Sequence, residues 1–253
     1  MSDPEADADD SEQANRTPSE NAESTESTGS AKRTEATSEL PVIEPADLAS
    51  RSRDRERPRE GSIVGVVLAA GTSSRYGAAN KLLATVNGEA IVRRAAMTVL
   101  DAAVDRVVVV LGHEAGRVRG ALDGLDVDVV RNDDYERGQA TSVRTGVGVA
   151  DERGASAVVI ALGDMPAVDV STIDALIEAY RADAGDALAA AYGGRRGNPV
   201  CFDARYFEAL RDVSGDTGGR SILLESERAA LVETGDPGVV RDVDTRADLE
   251  AVE

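Results

Sequence analysis

Tryptophan is absent from this 253-residue chain, and cysteine and histidine occur once each, at Cys201 and His113. A single cysteine excludes an intrachain disulfide framework. One histidine beside one cysteine excludes a Cys/His zinc site within one chain. A Ser–His or Cys–His nucleophilic pair is available only through His113. Aromatic residues make up 3% of the chain, while 42% of it is hydrophobic. The core must therefore be assembled from Ala, Val, Leu and Ile, which suit buried parallel strands packed between helices. No apolar run reaches the ~18 residues of a membrane span. The N-terminus has neither the basic nor the apolar region of a signal peptide. A cytoplasmic location is the expectation.

Positive charge is also scarce. There are 28 basic residues against 47 acidic ones, a formal net charge of −19. Lysine is scarcer still, occurring only at Lys32 and Lys81. Such an acidic surface repels phosphate backbones and anionic lipid, which argues against nucleic acid and membrane surfaces as partners. Strong acidity with arginine in place of lysine resembles proteins of salt-loving organisms, as in a halophilic archaeon. There the Debye length, roughly 3 Å at 1 M salt, screens the self-repulsion.

The chain divides by composition. Residues 1–60 are rich in Ser, Thr, Glu, Asp, Asn and Ala, with few periodic apolar positions. Such a segment buries too little apolar surface to offset its ordering entropy, so a disordered acidic tail is expected there. Within it, Arg51, Arg53, Arg55, Arg57 and Arg59 alternate mostly with acidic and polar residues. This is either an anion- or partner-docking segment or a solvated linker.

Residues 61–253 read as one domain. Ile63 to Leu68, Arg106 to Leu111, Val127 to Val130 and Ala157 to Leu162 have the apolar content of strands. Ala90 to Leu100, Glu114 to Leu122, Ala140 to Val149 and Ser171 to Tyr180 have helical spacing, the last with Ser171 as its cap. Such alternation implies an α/β fold: an open, doubly wound, mostly parallel sheet with helices on both faces. After Ala187 to Tyr192 the pattern weakens. Pro199 to Phe202, Ala229 to Glu233 and Val239 to Val243 read as short strands, with room for one antiparallel pair and two helices between them.

In such a sheet, ligands bind beyond the carboxyl ends of the strands. Three loops there carry chemistry. The first runs from Leu68 through Ala69, Ala70 and Gly71 to Arg75, Asn80 and Lys81. Its small residues let the backbone approach a ligand, and exposed N–H groups in such a turn cradle phosphate oxygens. Arg75 can fork onto phosphate, and Lys81 supplies a compact positive charge. The P-loop pattern and the G-x-G-x-x-G fingerprint are both missing, which disfavours a dehydrogenase-type dinucleotide site. The second loop runs from Asn132 to Gly138 and Ser142. Asn132 offers a donor and an acceptor for a base or ribose, and Gly138 to Ser142 present N–H groups at a helix start. An Asn–Asp turn before a capped helix is the competing reading. The third, Leu162-Gly163-Asp164-Met165-Pro166, sets an aspartate at a strand end. Magnesium favours one or two carboxylates together with phosphate oxygens. A purely capping role for Asp164 is the plainer alternative. His113 follows a strand and borders the same cleft, but a loop histidine without catalytic duty is the simpler reading. Cys201 lies in an apolar stretch and reads as core.

The run L-A-A-G-x-S-x-R-x-G-x-x-N-K-L-L resembles the nucleotide-binding signature of the MobA-like NTP transferases, which load GMP or CMP onto molybdopterin. The resemblance extends through N-x-x-x-x-x-G-x-x-x-S at Asn132, Gly138 and Ser142, then D-M-P at Asp164, Gly197-Asn198-Pro199-Val200, Asp216 to Arg220, and Asp242-Val243-Asp244-Thr245. It covers residues 63 to about 250. It implies a Rossmann-like nucleotidyltransferase fold and a Mg2+-dependent transfer of a nucleotidyl group to molybdopterin, with release of pyrophosphate. Leu68 to Gly71, Arg75, Lys81, Asn132, Gly138, Ser142 and Asp164 would then serve the nucleotide. Arg75, Lys81 and Asp164 would be catalytic, Asn198 and Pro199 would face the acceptor, and Asp164 and Asp244 would hold the metal. Asp244 has a rival reading as part of an Asp–Thr cap on a last helix. Asn80-Lys81 with L-A-A-G is more similar to the cytidylyl than to the guanylyl branch, so CTP is expected over GTP. A sugar- or polyol-phosphate acceptor and a non-catalytic factor serving a molybdoenzyme client are the alternatives. Gln139-Ala140-Thr141 and Gly218-Gly219 depart mildly from the family pattern and remove no necessary group.

Overall fold

A computed structural model describes residues 40–54, 59–73, 76–77, 79–215 and 219–251 of the chain. The chain enters through a two-residue strand, β1 (Val42–Ile43), and a helix, α1 (Pro45–Asp54). The first full strand, β2 (Ile63–Ala69), is buried at every position. A small hairpin follows, β3 (Thr85–Val86) with β4 (Glu89–Ala90), and leads into α2 (Ile91–Leu100). Then come β5 (Arg106–Leu111), α3 (Ala115–Ala121), β6 (Asp128–Arg131), α4 (Gln139–Glu152), β7 (Ala157–Leu162) and α5 (Val170–Arg181). The remainder is β8 (Ala187–Tyr192), β9 (Arg195–Asp203), α6 (Phe207–Asp212), α7 (Arg220–Glu225), β10 (Ala229–Glu233) and α8 (Arg246–Glu250).

The main sheet has eight strands in the order β1-β10-β8-β9-β7-β2-β5-β6. Only β9 runs antiparallel to its neighbours, β7 and β8. The expected α/β sheet, open and mostly parallel, is therefore the observed one. Alternate residues of β2 feed opposite layers, as a pleated strand requires. Val64, Val66 and Leu68 join Val143, Val147 and Phe202 on one face. Ile63, Val67 and Ala69 join Val92, Val99 and Leu176 on the other. Two glycines set how closely the helices approach. A Cβ on Gly65 would lie 2.4 Å from a methyl of Val99 in α2, and one on Gly146 in α4 would lie 2.4 Å from a methyl of Val66. Gly146 weakens the helical pattern in the sequence, yet it is what lets α4 settle on the sheet.

Several expectations are corrected. Val239 to Val243 is not a strand; Pro237–Val240 forms a 3-10 turn. Pro237 fixes φ there and offers no N–H to a ladder. Gly238 lies so close to Ala167 that a Cβ would meet its carbonyl oxygen at 2.2 Å. Asp169, not Ser171, caps α5, accepting from the Ser171 N–H at 2.8 Å. Of the expected disordered tail, residues 1–39 lie outside the described residues, but residues beyond them are built into the domain. β1 pairs with β10, and Ile43 and Leu48 are buried in the core. A few well-placed apolar side chains supply the burial that average composition hides.

Arg59, the last of the alternating arginines, also has a structural post. Its guanidinium pairs with Asp183 and Asp186, reaches Asp203 at 3.3 Å and stacks over the Tyr180 ring at 4.8 Å. Arg205 and Arg228 complete the ring around Asp186, which is 1% exposed. Burial works against the charged Asp186 carboxylate, but the three arginines outweigh it and hold its pKa below the ordinary value. The Tyr180 hydroxyl donates to the Ser156 carbonyl at 2.9 Å and to Asp203 at 3.0 Å. Burial, reinforced by Asp203, pushes its pKa up. Burial likewise pushes the fully enclosed Cys201 thiol up to about 12, consistent with a core residue.

Candidate active site

The chain runs outward from β2 through β5 to β6, then crosses to β7 on the other side of β2. This makes β2 and β7 the switch point of the sheet, where the loops diverge and leave a crevice. Lys81 follows β2 and Asp164 follows β7.

Local bonding fixes Lys81 from both sides. Asn80 caps the 3-10 turn Lys81–Leu83, accepting from the Leu82 N–H at 3.1 Å. Ser73, whose φ of 57° is unusual for a residue with a side chain, accepts from the Lys81 N–H at 3.2 Å and donates to Asn80 at 3.3 Å. The loops are also tied to one another through backbone. The Gly163 N–H donates to the Leu68 carbonyl at 2.9 Å, and Val243 donates to that of Asp164 at 2.9 Å. The second bond brings the 242–244 segment over the end of β7.

The Lys81 ammonium sits between two carboxylates, 2.7 Å from Asp164 Oδ2 and 2.7 Å from Asp244 Oδ1. Burial disfavours the ammonium, but Asp164 and Asp244 outweigh that cost and hold its pKa above the ordinary lysine value. Asp242 stands beside them, and one oxygen from each of Asp164, Asp242 and Asp244 can lie within 4.8 Å of the others. Three hard oxygen donors converging on one point, at the edge of a cleft, suit a small divalent cation. Asp244 and its neighbour divide the two expected roles. Asp244 meets Lys81, while Thr245 forms a capping box with Asp248 at the start of α8.

The cleft has a volume of about 370 Å3. Leu68, Ala70, Gly71, Lys81, Gly138, Ser142, Asp164 and Asp244 line it, so most of the nucleotide residues expected from the sequence converge. Gly138 has φ 107° and ψ 168°, a conformation open only to glycine, and it starts α4 over the cleft.

Three of the expected residues point elsewhere. Ala69 is 1% exposed and belongs to the core. Asn132 is 4% exposed, and its polar atoms are spent internally. It donates to Thr141 at 2.8 Å and Ser142 at 3.0 Å, and accepts from the Asp134 N–H at 3.0 Å. It thus staples the turn to α4. Pro199 lines a small apolar pocket with Met165 and Ile173. Asn198 does face open space: a neighbouring cleft of about 370 Å3, with Arg196 and Arg220, shares Gln139 and Leu162 with the first. Arg75 and residues 216–218 lie outside the described residues.

The sequence reading overlooked Tyr76, Tyr135, Glu136 and Gln139, all on the cleft wall, and Asp242. In a chain with so few aromatics, two tyrosines near the loops were the available signal. His113 is absent from the cleft lining; its ring tilts against Tyr135 at 6.1 Å between centroids.

A Rossmann-like sheet with a small-residue loop, a paired lysine and converging carboxylates at its switch point is the architecture of an α/β nucleotide-handling enzyme. The chain belongs to the MobA-like NTP transferase family, whose domain model matches residues 65–230. It is 32% identical over 192 residues to a nicotine blue oxidoreductase of Paenarthrobacter nicotinovorans, covering 72% of this chain and 92% of that one. A purine catabolism protein of Bacillus subtilis, PucB, is 30% identical over 77% of this chain and 97% of its own. A probable molybdenum cofactor guanylyltransferase of Natronomonas pharaonis is 32% identical over 75% and 96%. Among solved structures, Rv0371c of Mycobacterium tuberculosis superposes with a TM-score of 0.68 at 30% identity, covering 77% of this chain and 98% of that one. Its manganese complex gives 0.61 at 28% identity, covering 76% and 97%. Among the described residues, no helix is long and apolar enough to cross a membrane.

Proposed function

We propose that this nucleotidyltransferase moves CMP from CTP to a terminal phosphate of molybdopterin and releases pyrophosphate. The observation that carries the reading is the Lys81 ammonium held between Asp164 and Asp244 at the mouth of the cleft. An oxygen of the acceptor phosphate forms a bond to the α-phosphorus. The bond from that phosphorus to the bridging oxygen of the β-phosphate breaks, and pyrophosphate departs with the electron pair. A phosphate monoester has its second pKa near ~6, so the nucleophile is already ionised at neutral pH and needs no general base. That suits a cleft without histidine. The remaining barrier is alignment and anionic repulsion. Gly71 and Gly138 offer backbone close to the nucleotide, Lys81 neutralises charge on the departing pyrophosphate, and Asn198 faces the acceptor. Asp164 and Asp244, with Asp242 beside them, would hold Mg2+, which when bound offsets charge on the phosphate oxygens.

The L-A-A-G run with Asn80-Lys81, more similar to the cytidylyl branch, supports CTP. The guanylyltransferase named in Natronomonas pharaonis supports GTP as the rival donor, and the oxidoreductase relative supports testing reduction of nicotine blue alongside. The deciding experiment is pyrophosphate release with each of the four NTPs, with and without molybdopterin, in high salt and Mg2+. Acceptor-dependent release with CTP alone is the expected result. Release with GTP instead would move the donor assignment. No release from folded protein with competent acceptor would overturn the reaction, leaving a non-catalytic factor for a molybdoenzyme client.

A further inference from the structure

Lys81 stands where a metal ion would be expected to stand. Its Nζ is 2.7 Å from Asp164 Oδ2 and 2.7 Å from Asp244 Oδ1, and those two residues belong to the carboxylate trio that converges within 4.8 Å. An ammonium so placed satisfies the carboxylates that a divalent cation would use. The side chain of Lys81 is only 12% exposed, so water screens its charge weakly. A cation cannot approach the pair without meeting that charge at short range.

We infer that Lys81 is a built-in stand-in for the metal: its ammonium holds Asp164 and Asp244 together and competes with the divalent cation for them. The inference rests on the proposed function only in taking Asp164 and Asp244 as metal ligands. Its consequence is an order of events. A free cation binds the nucleotide-free chain poorly. A triphosphate offers Lys81 a new set of partners in the same cleft and draws the ammonium away, so the cation enters with the nucleotide. Lysine suits this exchange, because its charge is a single point on a flexible stem.

The test is direct metal binding to the full chain without nucleotide or acceptor, measured with Mn2+ by electron paramagnetic resonance. Lys81→Met keeps the stem and removes the charge. It should bind Mn2+ about tenfold more tightly than wild type or more, while Lys81→Arg should bind as weakly as wild type. Asp244→Asn should weaken binding in every background. An unreactive triphosphate analogue should tighten Mn2+ binding more in wild type than in Lys81→Met. A second measurement needs no variant at the site. With only Lys32 and Lys81 in the chain, lysine labelled with 13C at Cε gives two signals, assignable with Lys32→Arg. Mg2+ should shift the Lys81 signal in step with binding. Binding of Mg2+ at Asp164 and Asp244 with the Lys81 signal unmoved would overturn the inference. So would a folded Lys81→Met no tighter for Mn2+ than wild type. These readouts involve no transfer step, so they are decided separately from the proposed reaction.

Discussion

Two clusters of charge lie at opposite ends of the sheet, and they differ in what they face. At the end where the parallel strands begin, Arg59, Arg205 and Arg228 surround Asp183, Asp186 and Asp203, three cations for three carboxylates. At the end where the strands finish, Lys81 bridges Asp164 and Asp244, with Asp242 close by. The first cluster is complete in itself. The second gathers three carboxylates beside a cleft, two of them bridged by Lys81. Ion pairs at the first end hold the structure, whereas those at the second end line an open cleft.

The comparison is broken most severely by removing Asp186. Arg59, Arg205 and Arg228 then lose the buried carboxylate they share and keep only Asp183 and Asp203, and breaking a buried ion pair costs about 3–5 kcal/mol. Asp186→Ala should lower the denaturation midpoint accordingly, measured by urea unfolding. The same cluster sets a pH dependence. The folded pKa of Asp186 lies below its unfolded value, so its contribution is fully present above the ordinary Asp pKa of ~3.9 and is lost as pH falls through the folded value. Stability measured between neutral and strongly acid pH should fall less steeply in Asp186→Asn than in wild type over that lower window. A smaller effect is expected from Arg59→Ala, which removes charge-assisted hydrogen bonds and a stacking contact. About 2–3 kcal/mol should be lost. Limited proteolysis should then cut first around residues 41–60, since Arg59 latches that segment to the sheet. Thr245→Ala is the mildest change. Loss of the capping box should cost about 1 kcal/mol by thermal unfolding. It should also weaken Mn2+ binding slightly, because the Asp244 N–H shares the Asp248 carboxylate with that box at 3.1 Å.

The same contrast explains what could be read from sequence. Continuous apolar runs such as Ile63–Ala69 and Ala157–Leu162 mark strands covered on both faces, and the loops that follow them are local features with local signatures. Lys81 and Asp164 were legible for that reason. The Arg59 cluster was not, because its partner Asp183 lies 124 residues away and Asp203 lies 144. Asn132 misled because its residue type suits a ligand equally well. Only the fold shows the hydroxyls of Thr141 and Ser142 already filling its hydrogen bonds. Asp242 was passed over in favour of Asp244, since the sequence gives no sign that the backbone bond from Val243 to Asp164 swings both carboxylates over β7.

The central claim is that the Lys81 cluster is the reacting end of the molecule. The measurement that tests it most directly is pyrophosphate release from CTP and molybdopterin by Asp164→Ala, with thermal unfolding run on the same sample. The account predicts a fall in rate of about 10²- to 10³-fold, the scale of losing one preorganised electrostatic group, with the melting temperature nearly unchanged. Rates close to wild type from the folded variant would contradict it.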